Sequence, residues 1–150
     1  MVASCFRHHF RYLEHEKCIE YILDNQLKDL EHRPRWVDGS GLSRYNLFTP
    51  KSFVQILHKL YKEVPEERLF AIFPMWGPDS TVKEWEDLST EPFLFAKSGS
   101  FGNNYNLSGY IKTKKGRLLI FSFMNNHFKV PSLEIRKTMY ATLKELHEHY

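Results

Sequence analysis

The sequence specifies an α+β fold in which an antiparallel sheet is flanked by helices. Apolar residues recur at helical spacing in the first part of the chain and again at its end. Between them lies a block of strand-like runs joined by short turn sequences, and short joints force antiparallel pairing. There is no internal repeat and no low-complexity linker, so residues 1–150 read as one domain.

Each element has its own signal. Residues 1–11 are apolar and basic without a clean period. Over 16–30, Ile19, Ile22, Leu23, Leu27 and Leu30 form one helical stripe that stops before Pro34. In 35–46, turn residues interleave with Trp36, Val37, Leu42 and Tyr45, which predicts a partly buried, hydrogen-bonded loop. Thr49 then caps a helix with Pro50 at its first position, and Phe53, Val54, Ile56, Leu57, Leu60 and Tyr61 give it a wide apolar face that ends at Val64-Pro65. Residues 69–73 read as a short strand, 74–80 as a loop punctuated by Pro and Gly, and 81–88 as a turn or two of helix. A buried strand follows over 93–100. The segments 105–113 and 117–125 make a hairpin through Lys114-Lys115-Gly116, with the glycine at the left-handed position. Leu118, Ile120, Phe121 and Phe123 make the second arm nearly continuously apolar, so it needs cover on both faces. The last helix, striped by Ile135, Met139, Leu143, Leu146 and Tyr150, is the expected cover.

Composition excludes several classes. With 42% hydrophobic and 15% aromatic residues the chain packs rather than staying disordered. Its 21 basic and 18 acidic residues are mixed along the length, so no nucleic-acid footprint is expected. No run approaches the ~20 apolar residues of a membrane span. The first residues as written lack the basic start and apolar stretch of a signal peptide. Cys5 and Cys18 have no CxxC partner, and the histidines lack the i, i+4 spacing of a zinc helix. No metal and no cofactor are therefore expected.

The stretch with chemistry is Phe93-Leu94-Phe95-Ala96-Lys97-Ser98-Gly99-Ser100, an apolar run that opens into a cation, two hydroxyls and a glycine. Lys97 and Ser98 would hold an anion, and Gly99 would let an extended peptide approach where a Cβ would block it. Alternation puts Lys97 and Ser98 on opposite faces, so both serve one site only if the strand's edge lines the cleft.

Three stretches together carry a resemblance: Asp38-Gly39-Ser40-Gly41-Leu42-Ser43-Arg44, Lys97-Ser98-Gly99, and Asn106-Leu107-Ser108-Gly109-Tyr110. With these the chain resembles the class C low-molecular-mass penicillin-binding proteins, the D-alanyl-D-alanine carboxypeptidases/endopeptidases of the bacterial envelope. The resemblance implies a partial penicillin-binding/β-lactamase-like transpeptidase domain, its C-terminal portion. It also implies serine hydrolysis of D-Ala-D-Ala stem peptides of peptidoglycan, β-lactam binding, and a periplasmic location given an export signal upstream. The family needs S-x-x-K and S-x-N motifs besides K-T/S-G, and both are expected upstream of Asp38.

By the same resemblance Lys97 adds positive potential under the nucleophile and the substrate carboxylate, Ser98 and Gly99 hold the substrate, and the Ser100 backbone N–H is an oxyanion donor. Arg44 either reaches a substrate carboxylate or braces its loop, and Asp38 is a loop-bracing acceptor. A literal S-x-x-K occurs at Ser80-Thr81-Val82-Lys83, but Glu84, Glu86 and Asp87 surround it with acid and oppose alkoxide formation. No S-x-N triplet occurs. The chain alone is therefore expected to be inactive. Its rival roles are a pseudoenzyme module that binds peptidoglycan peptides and a subunit that complements a separate upstream part. Apolar surface left without the upstream helices is expected to drive self-association.

Overall fold

The computed structural model describes residues 15–73 and 92–150. The chain divides into two compact units between Ser52 and Phe53.

In the first unit, helix α1 (His15–Asn25) buries Cys18, Ile19 and Leu23. Cys18 is a free thiol. The helix stops at Asn25 rather than at Leu30. Its last turn is closed by two backbone donors, Gln26 and Leu27, which share the Ile22 carbonyl at 2.9 Å, while the Asn25 amide bonds the Tyr21 carbonyl at 2.8 Å. Leu30 is still buried, carried inward by a turn in which its N–H reaches the Leu27 carbonyl. The following loop is anchored by a two-way backbone bridge between Arg35 and Leu47. Thr49 caps helix α2 (Pro50–Glu63) as expected, its Oγ1 accepting the Ser52 N–H at 3.1 Å. Buried Ser52 in turn donates its hydroxyl to the His32 carbonyl at 2.8 Å.

In the second unit, residues 69–73 are not a strand. Helix α3 (Glu66–Ile72) takes up all of them but Phe73, its C-cap, with Pro65 before its first turn and two acidic residues within it. The helical turn puts Leu69, Phe70 and Phe73 on one side, where Leu69 is completely buried.

The sheet has three antiparallel strands in the order β1 (Leu94–Phe101), β2 (Asn104–Lys112), β3 (Leu118–Asn126). The β2–β3 turn is the expected one: Gly116 has φ 76° and its N–H bonds the Thr113 carbonyl. The β1–β2 turn is Gly102-Asn103, with Asn103 left-handed at φ 58°. β3 runs through Asn126, one residue past the expected end at 125, and His127 at φ 57° ends the strand.

Two apolar clusters clasp the sheet. On one face helix α4 (Ser132–His149) sets Met139 and Leu143 against Leu94, Ala96, Tyr105, Leu107 and Ile111. On the other, Leu57 of α2 and Leu69 of α3 pack on Phe95 and Tyr110. There Phe70 stacks on Phe95 with centroids 4.3 Å apart, and the Tyr110 hydroxyl donates to the Leu57 carbonyl at 2.7 Å. β3 is thus covered on both faces, but by different helices: Leu119, Phe121 and Phe123 adjoin the α4 cluster, Leu118 and Ile120 the α2–α3 cluster. The α4 stripe ends before Tyr150, which is 53% exposed.

Candidate substrate-binding strand

β1 carries Lys97, Ser98, Gly99 and Ser100 on one continuous strand, buried through Ala96 and open from Lys97 onward. The phase of its ladder decides what it presents. Lys112 N–H donates to the Phe93 carbonyl at 2.8 Å, so Phe93 and Lys112 form a hydrogen-bonded pair. In an antiparallel ladder such pairs alternate. With the register Leu94↔Ile111 through Phe101↔Asn104, the backbone groups of Phe95, Lys97, Gly99 and Phe101 turn toward β2. Those of Leu94, Ala96, Ser98 and Ser100 turn outward, to an edge that no other described strand pairs.

The side chains of Lys97 and Ser98 do lie on opposite faces, and the edge joins them. Lys97 Nζ donates to the Ser98 carbonyl at 2.6 Å, and that carbonyl points out of the sheet. An exposed ammonium and the outward N–H groups of Ser98 and Ser100 therefore line one edge, a donor array suited to an anion beside an extended chain.

The two glycines at this end of the sheet differ. A Cβ on Gly99 would meet nothing within 4 Å, so packing does not require a glycine there. A Cβ on Gly109 would fall 2.6 Å from Ala96 Cα and closer still to the Phe95 carbonyl, so Gly109 is what lets β2 seat against β1.

Two neighbours of the strand carry no individual signal in the sequence. Ser108 stands opposite Lys97 and shares a 2.8 Å hydroxyl contact with Ser122, making a polar row of Lys97, Ser108 and Ser122 across one face. Asn106 stands opposite Gly99 on the same face, and its Oδ1 is buried without a hydrogen-bond partner. Only the β1–β2 register brings them to Lys97 and Gly99.

The loop of the first unit is braced as anticipated. Asp38 Oδ1 accepts from the Ser40 hydroxyl at 2.8 Å and the Ser40 N–H at 3.0 Å. Asn46 Oδ1 accepts the N–H groups of Val37 and Asp38, and Trp36 Nε1 donates to the Asp38 carbonyl. The Ser40 hydroxyl bond, helped by the Ser40 N–H and the Asn46 amide, holds the Asp38 carboxyl below its usual range. The carboxylate is thus held ionised as an acceptor for the loop's own donors. Gly41, at φ 74°, makes the bend, and Arg44 follows it within this first unit. Ser80 and Lys83, with the loop expected over 74–80 and the helical turn expected over 81–88, lie outside the described residues. Among the described residues no group of three or more His, Cys, Asp or Glu could hold a metal, and no helix is long and apolar enough to cross a membrane.

The model of the D-Ala-D-Ala carboxypeptidase 3 (S13) family matches residues 31–146, which include both the braced loop and the Lys97 strand. The chain belongs to this family. The D-alanyl-D-alanine carboxypeptidase DacB of Haemophilus influenzae is 35% identical over 109 residues, 71% of this chain and 22% of that protein. Penicillin-sensitive carboxypeptidase A of Dictyostelium discoideum is 33% identical over 78 residues, 50% of this chain and 15% of that protein. Among solved structures, penicillin binding protein 4 of Haemophilus influenzae complexed with a β-lactam superposes with a TM-score of 0.79 at 24% identity, covering 98% of this chain and 36% of that one. A predatory peptidoglycan endopeptidase of Bdellovibrio bacteriovorus superposes with a TM-score of 0.68 at 20% identity, over 88% of this chain and 36% of that one. The S13 chain described here thus has the penicillin-binding fold and spans about a fifth of the curated relative and a third of the solved ones.

Proposed function

We propose that this chain is the C-terminal, substrate-cradling portion of a serine-type D-Ala-D-Ala carboxypeptidase domain acting on peptidoglycan stem peptides. The observation that carries the proposal is the ladder phase of β1, which turns the Ser98 and Ser100 N–H groups to the same edge as the Lys97 ammonium. In this reading Lys97 supplies positive potential to the nucleophile and the terminal carboxylate, and the Ser98 hydroxyl binds that carboxylate. The Ser100 N–H is one of two oxyanion donors, and Gly99 leaves room for the peptide backbone. The nucleophile and its lysine come from a part of the enzyme outside these 150 residues, so the chain alone does not turn over. Removing one oxyanion donor already costs ~10²–10³ in rate, and here the second donor and the nucleophile are missing together.

The orphaned Asn106 Oδ1 supports completion by another segment over a free-standing pseudoenzyme. A buried acceptor without a partner is destabilising by about 1–3 kcal/mol, and this one lies on the site's face, opposite Gly99. The proposal places the assembled enzyme in the bacterial envelope, where its substrate and β-lactams reach it.

The test is incubation with a fluorescent penicillin followed by intact mass. The chain alone is expected to give no covalent adduct, and the chain mixed with the upstream part of an S13 enzyme is expected to give an adduct on the added part. An adduct on the isolated chain, above all at Ser80, overturns the reading.

A further inference from the structure

The end of the sheet away from Gly99 gathers donors of its own. β2 runs on from Ser108 to Lys112, about 13 Å along the strand. There a cleft of about 560 Å³ opens beside the β2–β3 turn and the approach to β1, a volume suited to a small organic ligand. Among the described residues that line it, Lys112, Lys114 and Arg117 are cations and Glu66 is the single carboxylate. Glu66 is already engaged, 3.2 Å from Lys112 Nζ, which also lies over the Phe70 ring. Lys114 and Arg117 have no acidic partner among the described residues, so the cleft keeps two uncompensated charges, and a concave wall concentrates their field. The backbone around these charges is tied down. Arg117 N–H donates to the Thr113 hydroxyl at 3.0 Å, and Lys114 N–H donates to the His147 carbonyl at 2.8 Å. His147 Nδ1 lies 2.5 Å from the Lys112 carbonyl, with its ring stacked on Phe93 at 4.1 Å. A carbonyl only accepts, so Nδ1 is the donor, and Nε2 has no partner among the described residues. Thr113 is 6% exposed, and its hydroxyl hydrogen has no acceptor among the described residues, although buried polar groups are normally paired.

We infer that this cleft binds a phosphate ester. A phosphate brings three acceptor oxygens and up to two negative charges on one centre. That answers both free cations and the buried hydroxyl, with the Arg117 guanidinium as a planar fork and Lys114 as a point charge. A carboxylate, with two oxygens and one charge, leaves one of the cations unanswered. Tyr61 and Phe93, also in the wall, face whatever organic body carries the phosphate. The same chemistry is offered by a free phosphate ester and by a phospholipid headgroup. The inference uses none of the groups assigned to the β1 edge, so it stands or falls separately from the enzymatic reading.

The unpaired Nε2 of His147 supplies the test. Diethyl pyrocarbonate labels free imidazole nitrogens, and peptide mapping reads the label at His147 against the exposed His32 and His127 as internal references. Inorganic pyrophosphate is the probe, added at constant ionic strength. At ten times its half-saturating concentration it should slow labelling of His147 by about tenfold and leave the references unchanged. Isothermal titration should give the same half-saturation. Arg117→Gln or Lys114→Gln should weaken binding by about tenfold. Lys137→Gln, which removes an equal charge outside the cleft wall, should weaken it by less than about twofold. Vesicles with and without phosphatidylglycerol separate the two sources. Sedimentation with the phosphatidylglycerol vesicles that pyrophosphate reverses supports the inference with a headgroup as ligand, and pyrophosphate binding without sedimentation supports it with a free ester. Labelling that does not saturate, equal slowing at His32 and His127, or equal losses in Lys137→Gln and Arg117→Gln overturns the inference. The labelling uses the unaltered chain, so it decides the matter even if a variant folds poorly.

Discussion

Replacing Gly109 by alanine tests whether β1 is held where the site needs it. The added Cβ would lie 2.6 Å from Ala96 Cα and 2.8 Å from Ala96 Cβ, with the Phe95 carbonyl closer still. Carbon atoms in contact sit about 3.5–4.0 Å apart, so β1 must retreat by about 1 Å. Backbone, not a flexible side chain, is what must move. That retreat strains the flanking hydrogen-bonded pairs Phe95↔Tyr110 and Lys97↔Ser108, about four bonds at roughly 0.5–1 kcal/mol each, for a loss of about 2–4 kcal/mol. For a unit of this size the melting temperature should fall by about 10–20 °C. The assay is thermal and urea unfolding of Gly109→Ala beside Gly99→Ala, with amide exchange across β1. Gly99→Ala should melt like the parent, because its Cβ enters open space, yet it should abolish penicillin labelling of the reconstituted enzyme. If Gly109→Ala melts with the parent and keeps β1 amides protected, the close-approach argument is wrong. If Gly99→Ala labels normally, the role given to the open space at Gly99 is wrong.

Other perturbations follow from the same contacts. Burial pushes the Tyr110 hydroxyl up to about 12, above its ordinary value near 10. A group whose folded pKa is raised contributes stability below its unfolded pKa and loses it as pH rises through the folded value. Unfolding followed from pH 9 to 12 should therefore show a loss of about 2–3 kcal/mol across that window, absent in Tyr110→Phe. Leu143→Ala empties a fully buried site under β2 and should lower unfolding free energy by about 3–5 kcal/mol in urea titration. Thr49→Ala removes the acceptor for the Ser52 N–H and should lose about 1 kcal/mol by the same titration, with Thr49→Ser restoring most of it. Lys97→Met should shift stability by less than about 0.5 kcal/mol, since the ammonium is exposed, while abolishing labelling in the reconstituted enzyme.

What the sequence revealed follows from which signals are local. Thr49-Pro50 and Lys114-Lys115-Gly116 each carry their own geometry, and α2 and the β2–β3 hairpin form where they stand. Residues 69–73 mislead because five consecutive positions, four of them large and apolar, show no period. The decisive marks were Pro65 and the acidic pair Glu66-Glu67 just before them. The apolar stripe 19–30 stays periodic past the end of α1, because Leu30 is buried by a turn that happens to continue the spacing. The Lys97 strand was legible as a strand with chemistry at its end. Which backbone groups face outward was not, since that depends on the register in which β1 pairs with β2, from Phe101↔Asn104 back to Leu94↔Ile111. Asn106 and Ser108 were invisible as neighbours of the site for the same reason.

The ladder phase of β1 also bears on how this stretch can drift. At position 100 it is the N–H, not the hydroxyl, that reaches the open edge, and every amino acid except proline supplies that group at the same place. A saturation library there should read as an almost level landscape with a single hole at proline. Position 97, whose contribution is a side-chain charge, should tolerate little besides arginine. Two positions on one strand, 97 and 100, would thus evolve under opposite constraints, the freer of the two being the one whose donor belongs to the main chain.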